Sequence, residues 1–273
     1  MGHVRWEELT ADGFEAAVEA AQGVCILPLE VLEYHGNHLP LGTDMYRAHR
    51  MACEVAEREP AVVFPVLPLG ANWEARPYPG GVALANNLLF SLLEEVCDEI
   101  ARNGLKKIVI VSGHGGNKWL LPQFVMQVVD KGKDYVPYYC NARGVDPDAV
   151  GGYMDVELFN RAFDSNDYGH ACEWETSEML HLHPDLVRME AATDVDLPPR
   201  DRLDHLPNTY APMDWFSRQP ELGRGTPGPA TAEKGRAFWE QQVAALAELV
   251  QTIKRDTIAR DLYDEFTRRI YRR

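Results

Sequence analysis

The sequence predicts a three-layer α/β/α fold around a mostly parallel central sheet. Short apolar runs alternate with amphipathic helical segments, and the runs are continuously apolar rather than alternating, as in strands covered on both faces. Both histidine-bearing segments that follow such runs fall where sites form in parallel sheets, beyond the carboxyl ends of strands.

The elements follow in order. A helix is expected over Phe14 to Ala21, then a buried strand in VCILPL at 24–29 and a helix from about Met45 to Glu57. AVVFPVLPL at 61–69 reads as a second strand, shortened or kinked by its prolines. Leu89, Leu92, Leu93, Val96, Cys97 and Ile100 recur at three-and-four spacing before the stop Asn103-Gly104, the pattern of an amphipathic helix. KKIVIVSG is a buried strand that turns through GHGGN into a helix carrying Leu121, Phe124, Val125, Val128 and Val129, and DYVPYYC at 134–140 is a fourth strand. From about 193 to 229 the chain is rich in proline and charge without periodicity, a long surface excursion suited to a lid or an oligomer contact. One long helix is expected from roughly Ala232 to Asp261, with Val243, Leu246, Leu249, Val250 and Ile253 on one face. No internal repeat interrupts the pattern, and residues 1–273 read as a single domain.

Composition narrows the function. Forty-two acids against 27 bases give a formal charge of −15, which opposes nucleic acid or an anionic membrane as the main partner. The basic end RRIYRR reads as a solvated tail or subunit contact. Five cysteines without CxxC spacing suggest neither a disulfide framework nor a zinc ribbon, and fit a reducing, cytoplasmic setting. The N-terminus has no signal-like apolar core, and no stretch reaches the ~20 apolar residues that span a bilayer.

Three segments carry the chemistry. LEYHGNHLPLGTD, 32–44, places Glu33 and His35 on one side of an extended segment, and Gly36 and Gly42 allow the loop to return Asp44 toward them. Two carboxylates and an imidazole suit Zn2+ or Mn2+, and a carboxylate can bridge two cations. In SGHGGN, 112–117, His114 sits among glycines that permit close backbone approach; a phosphate cradle is disfavoured because neither GxGxxG nor the P-loop Lys-Ser/Thr ending is present. GHACEWETSEML, 169–180, groups His170, Glu173 and Glu175 at the start of a helix, where glutamates also complement the helix dipole.

ExHGxHLPxxTD, SGHGGN and HAxExETSxML, in that order, resemble the creatininase family of metal-dependent amidohydrolases. The likeness extends through YPGGVAL and GTPGPATAEKG, so it spans nearly the whole chain. It implies a creatininase-like fold and two divalent ions per subunit, Zn2+ and/or Mn2+, with Fe2+ also compatible. It assigns Glu33 and His35 to separate metals, Asp44 as the bridge, His114 as a further ligand and His170 as the proton shuttle. Creatinine-hydrolysing members carry a glutamate ligand two residues after the second-motif histidine, where this chain has Gly116. In members with GHGGN a third-motif glutamate fills that role, which nominates Glu175 first and Glu173 second, and the departure points away from creatinine as substrate. The activity implied is hydrolysis of a C–N bond in a cyclic amide, formamide or short peptide by a metal-bridged hydroxide, in a homo-oligomer, a hexamer in the family. Trp73, Arg76 and the 193–229 excursion are the candidates for setting specificity. The competing readings are a non-catalytic metal-binding protein and a metal-dependent lyase or isomerase acting on a small polar substrate.

Overall fold

The computed structural model describes residues 4–141, 156–165, 169–193, 200 and 202–271. Its centre is a four-stranded sheet formed by β1 (Val24–Pro28), β2 (Val62–Val63), β3 (Lys107–Ser112) and β4 (Val136–Asn141), in the order β2-β1-β3-β4 and parallel throughout. α1 (Ala11–Ala21) precedes β1, and α2 (Thr43–Arg58), α3 (Asn86–Arg102) and α4 (Asn117–Asp130) run between successive strands. After β4 come α5 (Val156–Ala162), α6 (Glu173–Leu182), α7 (Asp214–Arg218), α8 (Ala232–Arg255) and α9 (Ile258–Ile270).

Pleating sends successive side chains to opposite faces. Val24 and Ile26 of β1 join Val109 and Val111 of β3 beneath α2 and α8, where Met51, Val55, Val243, Leu246 and Val250 are buried. Cys25, Leu27, Ile108 and Ile110 point the other way, against Leu93, Cys97 and Ile100 of α3 and Leu121, Phe124 and Val128 of α4. The sheet therefore lies between two helical layers, which is why its strands read as apolar runs with polar residues only at their ends, Lys107, Ser112 and Asn141.

β2 is only two residues long because Pro65 and Pro68 lack the N–H that a ladder needs, although Leu67 still donates to the Pro28 carbonyl at 2.9 Å. The helix expected across 232–261 is two helices. The chain turns extended at Asp256, whose carboxylate accepts the N–H groups of Ile258 and Ala259 at 2.9 and 3.4 Å and so starts α9 anew. The proline-rich excursion forms the short α7 and otherwise turns and loops; 194–199 and 201 lie outside the described residues. Among the described residues no helix is long and apolar enough to cross a membrane.

Helices α6 and α8 cross closely at Gly235. A Cβ there would lie 2.0 Å from the Ser177 carbonyl oxygen and 2.8 Å from the Glu178 nitrogen, both backbone atoms. Gly235→Ala should therefore force the helices apart and cost about 1–3 kcal/mol in chemical denaturation. Gly223→Ala, where a Cβ meets nothing within 4 Å, should change stability by less than about 0.5 kcal/mol. Equal stability of the two variants would contradict this packing.

Candidate metal centre

The carboxyl end of β1 runs on through Leu29 and Glu30 into an extended segment that carries Glu33 and His35. Asp44 lies in the first turn of α2, His114 in the turn between β3 and α4, and Glu175 in the first turn of α6. Three helix N-termini thus converge on one buried cluster, and their partial positive charge favours the carboxylates.

Asp44 is the centre of the cluster. Its Oδ1 lies 3.4 Å from His35 Nε2, and its Oδ2 lies 3.5 Å from His114 Nδ1. Glu33 Oε1 stands 3.0 Å from His114 Nδ1, and Glu175 Oε2 stands 3.9 Å from His35 Nε2. Two ligand-spaced groups result, Glu33 with Asp44 and His114, and His35 with Asp44 and Glu175. A third, overlapping group joins Glu33 and His35 to His170, whose Nδ1 is 3.6 Å from Glu33 Oε1. Each of these side chains is buried.

The histidines are held in a common way. His35 Nδ1 donates to the Glu33 carbonyl at 3.2 Å, His114 Nε2 to the Ala71 carbonyl at 2.7 Å, and His170 Nε2 to the Tyr34 carbonyl at 2.7 Å. A carbonyl only accepts, so the outward nitrogen of each ring bears the hydrogen and the inward nitrogen of the neutral ring offers a lone pair to the cluster.

Carboxylates outnumber the fixed positive charge in the cluster. Glu30, Glu33, Asp44, Glu175 and Glu178 are all buried here, and the guanidinium packed among them is that of Arg47. Arg47 donates to Glu178 at 2.7 Å and to Glu175 at 3.3 Å, and lies 3.6 Å from Asp44. Burial alone would lower the pKa of His35, yet Asp44, Glu175 and Glu33 outweigh it and raise it to about 9. Burial is likewise overcome at His114 by Glu33 and Asp44, which lift it well above the usual imidazole range. Burial opposes ionisation of Asp44, but His35 and His114 hold it well below the ordinary carboxylate range; Glu33 is lowered against burial by His114 and His170. His170 itself is lowered, by burial and by His35.

Divalent cations fit these residues. His35 Nε2 and both oxygens of Asp44 are buried polar atoms without a hydrogen-bond partner, a costly condition that a bound cation would remove. Asp44 with Glu33 and His114 would hold one ion, and Asp44 with His35 and Glu175 the other.

Of the two third-motif glutamates, Glu175 faces the cluster. Glu173 points away, accepting the N–H groups of Asp164 and Ser165 and the Lys234 ammonium. Gly116 has no room for a side chain: a Cβ would lie 2.2 Å from the Ala71 carbonyl oxygen and 2.7 Å from His114 Nε2. His38, from the first motif, bonds Thr176 Oγ1 at 3.0 Å and is not among the ligand-spaced groups. Arg76 stacks over the Trp73 ring at 4.5 Å. The excursion is stitched to the third motif, since His170 and Arg224 exchange backbone hydrogen bonds of 2.9 and 3.0 Å.

Two residues escaped the sequence reading. Glu30 accepts the N–H groups of Gly113 at 2.6 Å and His114 at 3.2 Å, bracing the turn that carries His114. Burial and then Asp44 push its pKa well above the usual range. Arg47 is the other. Its signal was available: it stands one turn after Asp44 on an inward helix face shared with Ala48 and Met51.

A parallel sheet with a buried carboxylate and imidazole cluster at its carboxyl end defines an α/β protein with a hydrolase-type centre. Comparison with known proteins agrees. The family model Creatininase, creatinine amidohydrolase, matches residues 7–250. Creatinine amidohydrolase from Pseudomonas putida is 28% identical over 274 residues, covering 92% of this chain and 95% of that protein. Mycofactocin precursor peptide peptidase from Mycolicibacterium smegmatis is 31% identical over 241 residues, covering 83% of each. A crystal structure of creatinine amidohydrolase superposes with a TM-score of 0.76 at 26% identity, covering 94% of this chain and 100% of the other. Similar creatininase structures, both at a TM-score of 0.74, include a Mn form and a Zn-Zn form. The chain belongs to the creatininase family, amidohydrolases that act on C–N bonds.

Two outcomes follow for metal binding. Gly116→Ala should displace His114 from the Ala71 carbonyl and weaken binding roughly 10–100-fold, read by competition with a chelator; unchanged affinity would show that the contact orients nothing. With His35 raised to about 9 and His114 also raised, a cation binding at pH 7 must expel protons from both rings. Affinity should rise with pH from 7 through 9, and calorimetry in buffers of different ionisation enthalpy should show proton release. Buffer-independent heats would contradict it.

Proposed function

We propose that this chain is a dinuclear metal-dependent amidohydrolase opening a C–N bond in a lactam, formamide or short peptide. The observation that carries the reading is Asp44, a buried carboxylate whose two unpartnered oxygens face two different histidines. Zn2+ and Mn2+ suit the oxygen and nitrogen donors. When bound, such a pair supplies Lewis acidity, which polarises a carbonyl and brings the pKa of water toward ~7.

The remaining steps belong to side chains. Glu33, His35, Asp44, His114 and Glu175 are proposed as ligands. Arg47 donates to Glu175 and lies 3.6 Å from Asp44, aiming both carboxylates, and is itself packed over the Trp174 ring at 4.5 Å. His170 is proposed as the catalytic proton carrier. Its Nε2–H is committed to Tyr34, and burial and His35 keep the ring neutral, so Nδ1 is free to take a proton from the attacking water and hand it to the departing nitrogen. That transfer contributes about 10²–10⁴-fold. Arg76 beside Trp73 and the excursion anchored at Arg224 are proposed to set specificity.

The family match over 7–250 supports one catalytic domain. Five free, buried cysteines accord with a reducing cytoplasmic location. A homo-oligomer, a hexamer by family likeness, is the proposed assembly.

The test separates ligand from shuttle. His170→Ala should retain two ions per chain and lose about 10²–10⁴-fold in turnover of a lactam, formamide or peptide substrate. Glu175→Gln should lose one of the two ions by elemental analysis. Metal loss in His170→Ala would make it a ligand. Amide hydrolysis that survives exhaustive chelation would overturn the metal-dependent reading, and metal binding without amine release across the panel would overturn the amidohydrolase one.

A further inference from the structure

Helix α9 begins after the matched family region ends at residue 250, and no residue along it is buried. It is nevertheless docked. The Tyr138 hydroxyl donates to Asp256 at 2.9 Å just before the helix, Arg260 Nη1 donates to the Lys133 carbonyl at 3.0 Å, and the Tyr263 hydroxyl donates to the Val128 carbonyl at 3.3 Å. These polar contacts fix its position without covering its apolar face.

That face is a continuous stripe. Ile258, Leu262, Phe266 and Ile270 recur every fourth residue and are 61%, 59%, 51% and 44% exposed. Beside them lies a groove of about 560 Å3 between α9, α4 and β4, walled by Val125, Val129, Val136, Leu262 and Phe266. A helix whose apolar side faces water gains little from folding, since helices are stabilised chiefly by burying that side. A contiguous exposed apolar surface of this kind marks an interaction site.

Charge selects the occupant. The first half of the helix, 258–265, carries Asp261, Asp264 and Glu265 against Arg260, whereas 266–270 carries Arg268 and Arg269 and no acid. Two such helices laid antiparallel set each acidic half against the partner's basic half; laid parallel, they set like against like. An antiparallel pair across a two-fold axis is also isologous, so the same stripe and groove serve on both sides. We propose that α9 is a self-association surface, packing antiparallel on the α9 of a second copy of this chain, with Leu262 and Phe266 of each entering the other's groove. This goes beyond the hydrolase reading and does not depend on it.

Light scattering on the full-length protein tests it. The parent should have a mass that is an even multiple of the chain, and Leu262→Glu/Phe266→Glu should halve that mass while leaving the circular dichroism and metal content unchanged. Asp261→Lys/Asp264→Lys and Arg268→Glu/Arg269→Glu should each raise the dissociation constant at least tenfold, and mixing the two variants should restore the parent mass. A parent that stays monomeric, a Leu262→Glu/Phe266→Glu variant of unchanged mass, or a mixture that fails to reassociate would overturn the proposal; the first of these would leave the groove to a different partner.

Discussion

The structure is organised around a set of buried carboxylates that outnumber the guanidinium set against them. Asp44 is buried with both oxygens unpartnered, among Glu33, Glu175, Glu178 and Glu30, and Arg47 is the guanidinium set against them. Removing carboxylates from water is expensive unless each gains a partner. The histidines share that burden, and the opposed shifts of His35 upward and Asp44 downward register it. Cations would relieve the whole set at once, which would make metal binding and local stability one problem.

The fold serves that cluster by convergence. β1 delivers Glu33 and His35, the β3 turn delivers His114, and α2 and α6 deliver Asp44 and Glu175 from their first turns. None of these elements holds the geometry alone. The strands are pinned by apolar layers on both faces, α6 is seated on α8 at a contact only Gly235 allows, and the His114 turn is clamped between Glu30 and the Ala71 carbonyl. A support this distributed explains why residues that offer no donor to the cluster, such as Gly116 and Gly235, have no freedom to vary in size.

Much of this was legible in the sequence. Continuous apolar runs gave away the parallel sheet, and the three motifs carried their donors as local strings. Prolines at 65 and 68 foretold a weak second strand. What escaped were interactions across the chain. Glu30 lies outside every motif, just past a strand end, and nothing local says that its carboxylate will meet the backbone of Gly113. Arg47 and Glu178 each sit three residues from a motif acid, on the same helix face, and that spacing would have flagged them. The break before α9 was signalled by Asp256, a capping residue in a run whose apolar periodicity otherwise continued. Only family likeness ranks Glu175 ahead of Glu173, because the Lys234 ammonium that engages Glu173 comes from another helix and is not visible locally.

The central claim is that Asp44 is shared between two cations. Crystals of the protein grown with Zn2+ or Mn2+ and measured at the metal's absorption edge test it most directly. The account predicts two anomalous peaks, one bonded to Asp44 Oδ1 with His35 and one to Oδ2 with His114. A single peak, or two that leave Asp44 uncoordinated, would contradict it.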